Sequence, residues 1–131
     1  MLVWILLILA ILISAYIRLA PSDPAQWHRP LDLPANADLP GAVVRIVEDA
    51  DDQKLQRLHD RIFATARTEL LAGSPEDGHA TYLTRSFLLG FPDYTTVHLV
   101  EGRLMIHGRL RFGRSDFGVN KRRVDRWLAD L

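Results

Sequence analysis

The residues whose types and spacing could do chemistry lie in the last third of the chain. Arginines, glycines, an aspartate and an asparagine follow one another between positions 109 and 123 at spacings typical of neither a helix nor a strand. Such a segment favours a specific turn, and arginines beside the backbone amides of a helix start favour an anion. The candidate ligand-binding residues are Arg109, Arg111, Gly113, Arg114, Asp116, Gly118, Asn120 and Arg123.

A purely structural interpretation of the same segment stays open. Gly113 and Gly118 suit positive φ angles, which side chains disfavour. Asp116 can cap the helix that follows or pair with Arg111, and Asn120 can satisfy the turn. In that interpretation the segment fixes its own conformation and binds nothing.

A catalytic site has weaker support. Asp93 and Asp116 would form a carboxylate pair if the fold brought them together, which their spacing does not show. Ser86 and Ser115 do not lie in a Gly-x-Ser-x-Gly elbow, and no phosphate-binding or dinucleotide fingerprint occurs. We therefore assign no catalytic residue and no cofactor. A small hydrolase or lipid-acting enzyme that uses Asp93 and Asp116 with neighbouring arginines remains the alternative to a binding module.

Two histidines, His98 and His107, lie on strands of one predicted hairpin. A turn at residues 102–103 places them directly opposite each other, whereas a turn at 101–102 places them diagonally. Two histidines supply half of a metal site, and the absence of cysteine excludes thiolate ligands. We expect no metal centre.

The C-terminal third resembles the family called domain of unknown function 1499, whose hallmark reads roughly FPD…SxSRxGxxDxGVNxxR. The matching positions are Phe91, Pro92, Asp93, Arg111, Gly113, Asp116, Gly118, Val119, Asn120 and Arg123. Two serine positions of the hallmark are Gly108 and Leu110 in this chain. The resemblance implies a small bacterial membrane-anchored protein and assigns no activity.

The N-terminal segment is the first element that must position the candidate residues between 109 and 123. Residues 1–17 carry no charged side chain, and the apolar run through Ala20 spans roughly 30 Å as a helix. A cleaved signal peptide is the alternative, but the segment lacks a basic start and has only a weak cleavage site before Pro21. We predict a transmembrane anchor over residues 1–20, with the lipid bilayer as its partner.

The orientation of this anchor is predicted from two opposed arguments. Arg18 and Arg29 follow the span and no basic residue precedes it, so the positive-inside rule favours the cytoplasm. The very short N-terminus and the family resemblance favour export. We expect a single-pass protein of the inner (cytoplasmic) membrane with its domain on the extracytoplasmic side.

Residues 21–40 contain five of the seven prolines and read as an extended linker. Trp27 is unusual in a spacer, because so large an aromatic side chain usually packs against something. It either docks onto the domain or lies in the membrane interface, and we expect docking.

Residues 41–131 are predicted to form an α+β domain, with strands at 42–48, 79–89, 94–101 and 103–112 and helices at 51–72 and 119–130. Thr95, Val97 and Ile106 fall on one face of the last hairpin. Tyr94, Thr96 and the two histidines fall on the other face, with Arg109 and Arg111. This alternation predicts a four-stranded sheet covered on one side by both helices, a two-layer sandwich of order β-α-β-β-β-α.

Charge limits the function classes. The net charge is zero, although residues 103–131 are basic and residues 21–102 are acidic. Nucleic-acid binding is disfavoured in a neutral, membrane-attached chain. The expected function is a non-enzymatic module that binds an anionic ligand or a membrane protein partner through residues 109–123.

Overall fold

The computed structural model describes all residues, 1–131, as an α+β domain that follows an apolar N-terminal helix. The helices are α1 (Leu2–Leu19), α2 (Pro24–Trp27), α3 (Asp52–Phe63) and α4 (Val119–Leu128). The strands are β1 (Ala37–Leu39), β2 (Ala42–Val47), β3 (Thr68–Ser74), β4 (His79–Arg85), β5 (Pro92–Val100) and β6 (Arg103–Leu110). Helix α1 is long and apolar enough to cross a membrane, a property that signal sequences share.

The six strands form one antiparallel sheet in the order β1-β2-β6-β5-β4-β3. The predicted count of four strands, and with it the predicted order, is wrong. The helix predicted over 51–72 ends at Phe63, and Arg67 then takes a left-handed conformation (φ 56°) that turns the chain into β3. Leu70 continued the apolar spacing of the helix in the sequence, yet it pairs with Tyr82 in the sheet.

The strand predicted over 79–89 ends at Arg85, and residues 86–91 form a loop. This 86–91 loop exposes its apolar side chains: Phe87 is 80% exposed and Leu88 is 76% exposed. A strand that is buried on both faces, followed by an exposed apolar loop, explains why the segment is apolar at both odd and even positions.

Helices α3 and α4 both pack on one face of the sheet, as predicted. Leu55, Leu58 and Ile62 of α3 and Val124 and Trp127 of α4 are buried there against the strands. The Trp127 indole donates a hydrogen bond of 2.9 Å to the Thr65 hydroxyl, so its polar atom is satisfied. Burying each of these side chains stabilises the fold by about 1.5–3 kcal/mol.

The second face of the sheet was expected to lie open to solvent, and this expectation is wrong. Residues 20–36, here called the strap, run along that face from one end of the strands to the other. Trp27 stacks on Tyr94 with ring centroids 4.0 Å apart, so the predicted docking of Trp27 is confirmed. Arg109 donates a 2.6 Å hydrogen bond to the Trp27 carbonyl, and Leu31 donates its amide to His98.

A two-residue turn fixes the register of the last hairpin. Glu101 and Gly102 both have positive φ angles, 50° and 79°, which are typical of one of the two common two-residue hairpin turns. Thr96 therefore pairs with His107, and the two candidate histidines are diagonal rather than opposite. No group of three histidine, aspartate or glutamate side chains is arranged to hold a metal ion.

Three histidines stack where the strap crosses β4 and β5. The ring of His28, on the strap, lies 3.8 Å from that of His79, which lies 4.5 Å from that of His98. Burial lowers the pKa of His28 and His79, and the neighbouring rings lower both further. Asp77 opposes this effect at His28. Burial, followed by the charge of Arg109, lowers the pKa of His107 to about 4.

These shifts predict acid sensitivity. A histidine whose pKa is lower in the folded chain binds fewer protons when folded, so stability falls as the pH drops below about 6.5. We expect the unfolding midpoint of the full chain in detergent to decrease between pH values of about 7.5 and about 5.5. The double variant His28→Gln, His79→Gln should lose part of this pH dependence. His59→Gln, which lies outside the stack, is the control, and an unchanged slope in the double variant would contradict the prediction.

Candidate functional site

The structure divides the predicted ligand-binding residues between the two faces of the sheet. Arg109 and Arg111 lie on the face covered by the strap. Arg111 donates hydrogen bonds to the Pro21 carbonyl at 2.8 Å and to the Tyr94 hydroxyl at 3.1 Å. Burial lowers the pKa of Arg109 to about 10, which leaves it protonated at neutral pH. Both arginines hold the strap in place and do not converge with Arg123.

Asp116 organises the turn before α4. One carboxylate oxygen accepts the Gly118 amide at 2.9 Å, and the other accepts the Asn120 amide at 3.1 Å and its side-chain nitrogen at 2.8 Å. These bonds satisfy amides that a helix start leaves free. Gly118 (φ 77°) and Gly113 (φ 97°) take left-handed conformations, as the sequence predicted. The structural interpretation therefore accounts for most of this segment.

Arg123 joins the turn to the sheet. It forms a 3.1 Å salt bridge with Asp93, and the two side chains are only 12% and 13% exposed. The same nitrogen of Arg123 donates to the Asn120 amide oxygen at 3.2 Å. Burial raises the pKa of Asp93 above its usual range, although Arg123 acts in the opposite direction and Asp116 adds a smaller rise. Asp93 and Asp116 thus belong to one network, connected through Arg123 and Asn120.

The two serines near this network serve the backbone. The Ser86 hydroxyl accepts the Phe91 amide at 2.9 Å, and the Ser115 hydroxyl accepts the Phe117 amide at 3.2 Å. Neither serine is hydrogen-bonded to a histidine, so the geometry gives no activated nucleophile.

An apolar cleft of about 440 Å³ lies between the 86–91 loop and residues 111–118, and we call it the aromatic cleft. Its apolar walls are Phe91, Leu110, Phe112, Phe117 and Val119. Asp93, Asp116 and Arg123 also line it. Sequence reasoning missed the walls, because the phenylalanines belong to different loops and have no common spacing.

The end of the domain that holds this cleft is basic. Six arginines lie at this end of the domain without any carboxylate within salt-bridge distance. They are Arg18, Arg67, Arg85, Arg114, Arg122 and Arg126, and we call this region the basic end. The opposite end, where β3 turns into β4 and β5 into β6, has a shallow depression lined by Asp51, Asp52, Glu76, Asp77 and Glu101. The domain is therefore polarised along its strands.

Helix α1 joins the domain at the basic end. Arg18 donates a 2.9 Å hydrogen bond to the Leu88 carbonyl, and Tyr16 meets Phe112 edge-on with centroids 5.9 Å apart. Ile17 and Ala20 are buried in the same junction. The last turn of the apolar helix thus lies beside the 86–91 loop and the aromatic cleft.

The fold therefore defines a class of protein in which an apolar N-terminal helix precedes an α+β domain with an antiparallel sheet. The family described as "Protein of unknown function (DUF1499)" matches residues 14–131, and the chain belongs to that family. The match confirms the resemblance found in the sequence, and it begins within α1. No curated protein matches the chain.

The network makes a stability prediction. Asp116→Ala removes three hydrogen bonds and Asn120→Ala empties a fully buried site, so each should lower the unfolding free energy by about 1–3 kcal/mol. Ser115→Ala, which removes one exposed bond, is the matched control and should cost less than about 0.5 kcal/mol. Urea unfolding of the full chain in detergent gives the comparison. An Asp116→Ala variant as stable as Ser115→Ala would show that the cap contributes nothing.

Proposed function

We propose that the protein is a non-enzymatic, membrane-anchored module whose basic end rests on an anionic lipid surface. Residues 1–20 act as an uncleaved transmembrane anchor, and the exposed residues of the segment 112–122, with the 86–91 loop, form the lipid contact. One observation supports this best: the end of the apolar helix, the exposed apolar loop and the unpaired arginines all lie at the same end of the domain.

The depth of the loop follows from its contact with α1. Arg18 marks the point where the apolar helix would leave the hydrocarbon, and its guanidinium reaches the Leu88 carbonyl. A loop held at that level brings Phe87 and Leu88 to the headgroup region. Apolar and aromatic side chains are favourable there, whereas they are unfavourable in water.

Charge supports the same orientation. Each arginine close to an anionic membrane contributes about 1 kcal/mol of attraction. The basic end holds six arginines without salt bridges, and the acidic residues of the opposite end are repelled from the same surface. Attraction at the basic end and repulsion at the acidic end therefore both orient the domain with its basic end towards the membrane.

A hydrolase that uses Asp93 and Asp116 was the second function predicted from the sequence. The geometry does not favour it, since both oxygens of Asp116 accept backbone or side-chain N–H groups and Asp93 is paired with Arg123. The same pairing argues against a small anion beside Arg123. The six arginines of the basic end are the ones available to lipid phosphates.

The absence of cysteine makes the lipid contact testable with single spin labels. The full chain is reconstituted into vesicles of phosphatidylglycerol and phosphatidylethanolamine with a nitroxide at Leu88→Cys or, as a control, at Glu76→Cys on the acidic end. We expect the Leu88 label to be several-fold less accessible to a water-soluble nickel reagent and more accessible to oxygen.

Replacing phosphatidylglycerol with phosphatidylcholine should raise the nickel accessibility of the Leu88 label, because the attraction of the arginines is lost. If the labels at Leu88 and Glu76 are equally accessible to nickel in the anionic vesicles, the basic end does not touch the membrane. A chain that contacts a protein partner through this end would give that result.

The side of the membrane is a separate prediction. We expect an alkaline phosphatase fused after Leu131 to be active, because the domain is proposed to lie on the extracytoplasmic side of the inner membrane, where that enzyme folds. A cytoplasmic reporter fused at the same residue is the control. A full-length but inactive phosphatase fusion would put the domain in the cytoplasm, in agreement with the positive-inside rule.

A further inference from the structure

We infer that the aromatic cleft holds one acyl chain of an anionic phospholipid from the surface on which the domain rests. This inference depends on the proposed function and goes further, because it names a ligand and a site.

The volume and lining of the cleft suit such a ligand. At about 440 Å³ it falls within the range of small-molecule sites. Rings of Phe91, Phe112 and Phe117 and the side chains of Leu110 and Val119 form its walls. An unbranched hydrocarbon chain bound there would remove these walls from water, at about 25 cal/mol for each Å² buried.

The polar groups of the cleft are already satisfied by one another. Arg123 is paired with Asp93 and Asn120, and the oxygens of Asp116 are occupied by the helix start. A charged ligand at this depth would have to break these bonds, with a large desolvation cost. An uncharged chain leaves them intact, which makes hydrocarbon the chemistry that fits the interior.

The rim of the cleft indicates that the bound acyl chain comes from the bilayer. Phe112 touches Tyr16 in the last turn of the apolar helix, so the cleft borders the level at which a bilayer would begin. Phe117 is 87% exposed, and its positive φ of 53° belongs to the turn that carries its ring at the rim. Arg114 and Arg122 flank this turn and have no carboxylate partner, so a lipid phosphate at the rim would meet two free positive charges.

Photolabelling tests the inference. The full chain is reconstituted in vesicles of phosphatidylethanolamine and a phosphatidylglycerol whose acyl chain carries a diazirine, and the labelled residues are mapped by mass spectrometry. We expect labels on Leu110 and Phe91, inside the cleft, in addition to labels on α1. Val119→Trp fills the cleft and should reduce the labelling of Leu110 and Phe91 several-fold.

Val100→Trp is the matched control, because Val100 is exposed to a similar degree (41% against 38% for Val119) at the opposite end of the domain. It should leave the labelling unchanged. The Leu88→Cys nitroxide is measured in parallel in each background. Labels confined to α1 and to Phe87 and Leu88, with no effect of Val119→Trp, would overturn the inference and leave the membrane contact standing. If the nitroxide at Leu88 is as accessible to the nickel reagent as the one at Glu76, both the acyl-chain inference and the proposed membrane contact would be overturned.

Discussion

The bond between the half-buried Arg109 guanidinium and the Trp27 carbonyl holds the strap on the sheet, and the placement of the apolar helix depends on that docking. Arg109 has no carboxylate partner, so its hydrogen bonds go to three neutral oxygens, those of the Trp27 carbonyl, the Thr96 hydroxyl and the His107 carbonyl. Without the strap, this face of the sheet would expose Arg109, the ring of Tyr94 and the neighbouring rings of His79 and His98. With it, the sheet becomes the middle layer of three, and the path of the strap fixes how the apolar helix meets the domain.

The fixed junction gives the domain two unlike ends. The antiparallel sheet sends the 86–91 loop and residues 111–118 to the end where α1 arrives and sends the acidic turns to the other. The Asp116 cap and the Asp93–Arg123 pair then hold the walls of the aromatic cleft at a set distance. The network that resembled a ligand site in the sequence is, in the structure, the frame of an apolar cleft.

How far the sequence predicts this structure depends on the range of the interactions. Alternation along β5 and β6 and the apolar stripe of α3 are local, and they were predicted. A cap by Asp116 is local too, and it was one of the roles left open. The end of α3 was missed because Leu70 continued the helical spacing while Arg67 turned the chain. The cleft was missed because it is assembled from separate loops. Gly108 shows the limit clearly: an added Cβ there would lie 3.2 Å from Asn120 and Val124, a closeness visible only when α4 lies on the sheet.

The docking of the strap also decides how far the domain can travel. As a free proline-rich tether, residues 21–40 would let it sample a hemisphere roughly 60 Å in radius. Because these residues are docked on the sheet, the domain can hardly move away from the end of the apolar helix. On a bilayer such a protein would search in two dimensions, by lateral diffusion with a fixed tilt. Its encounters would be confined to molecules in the same leaflet or close above it.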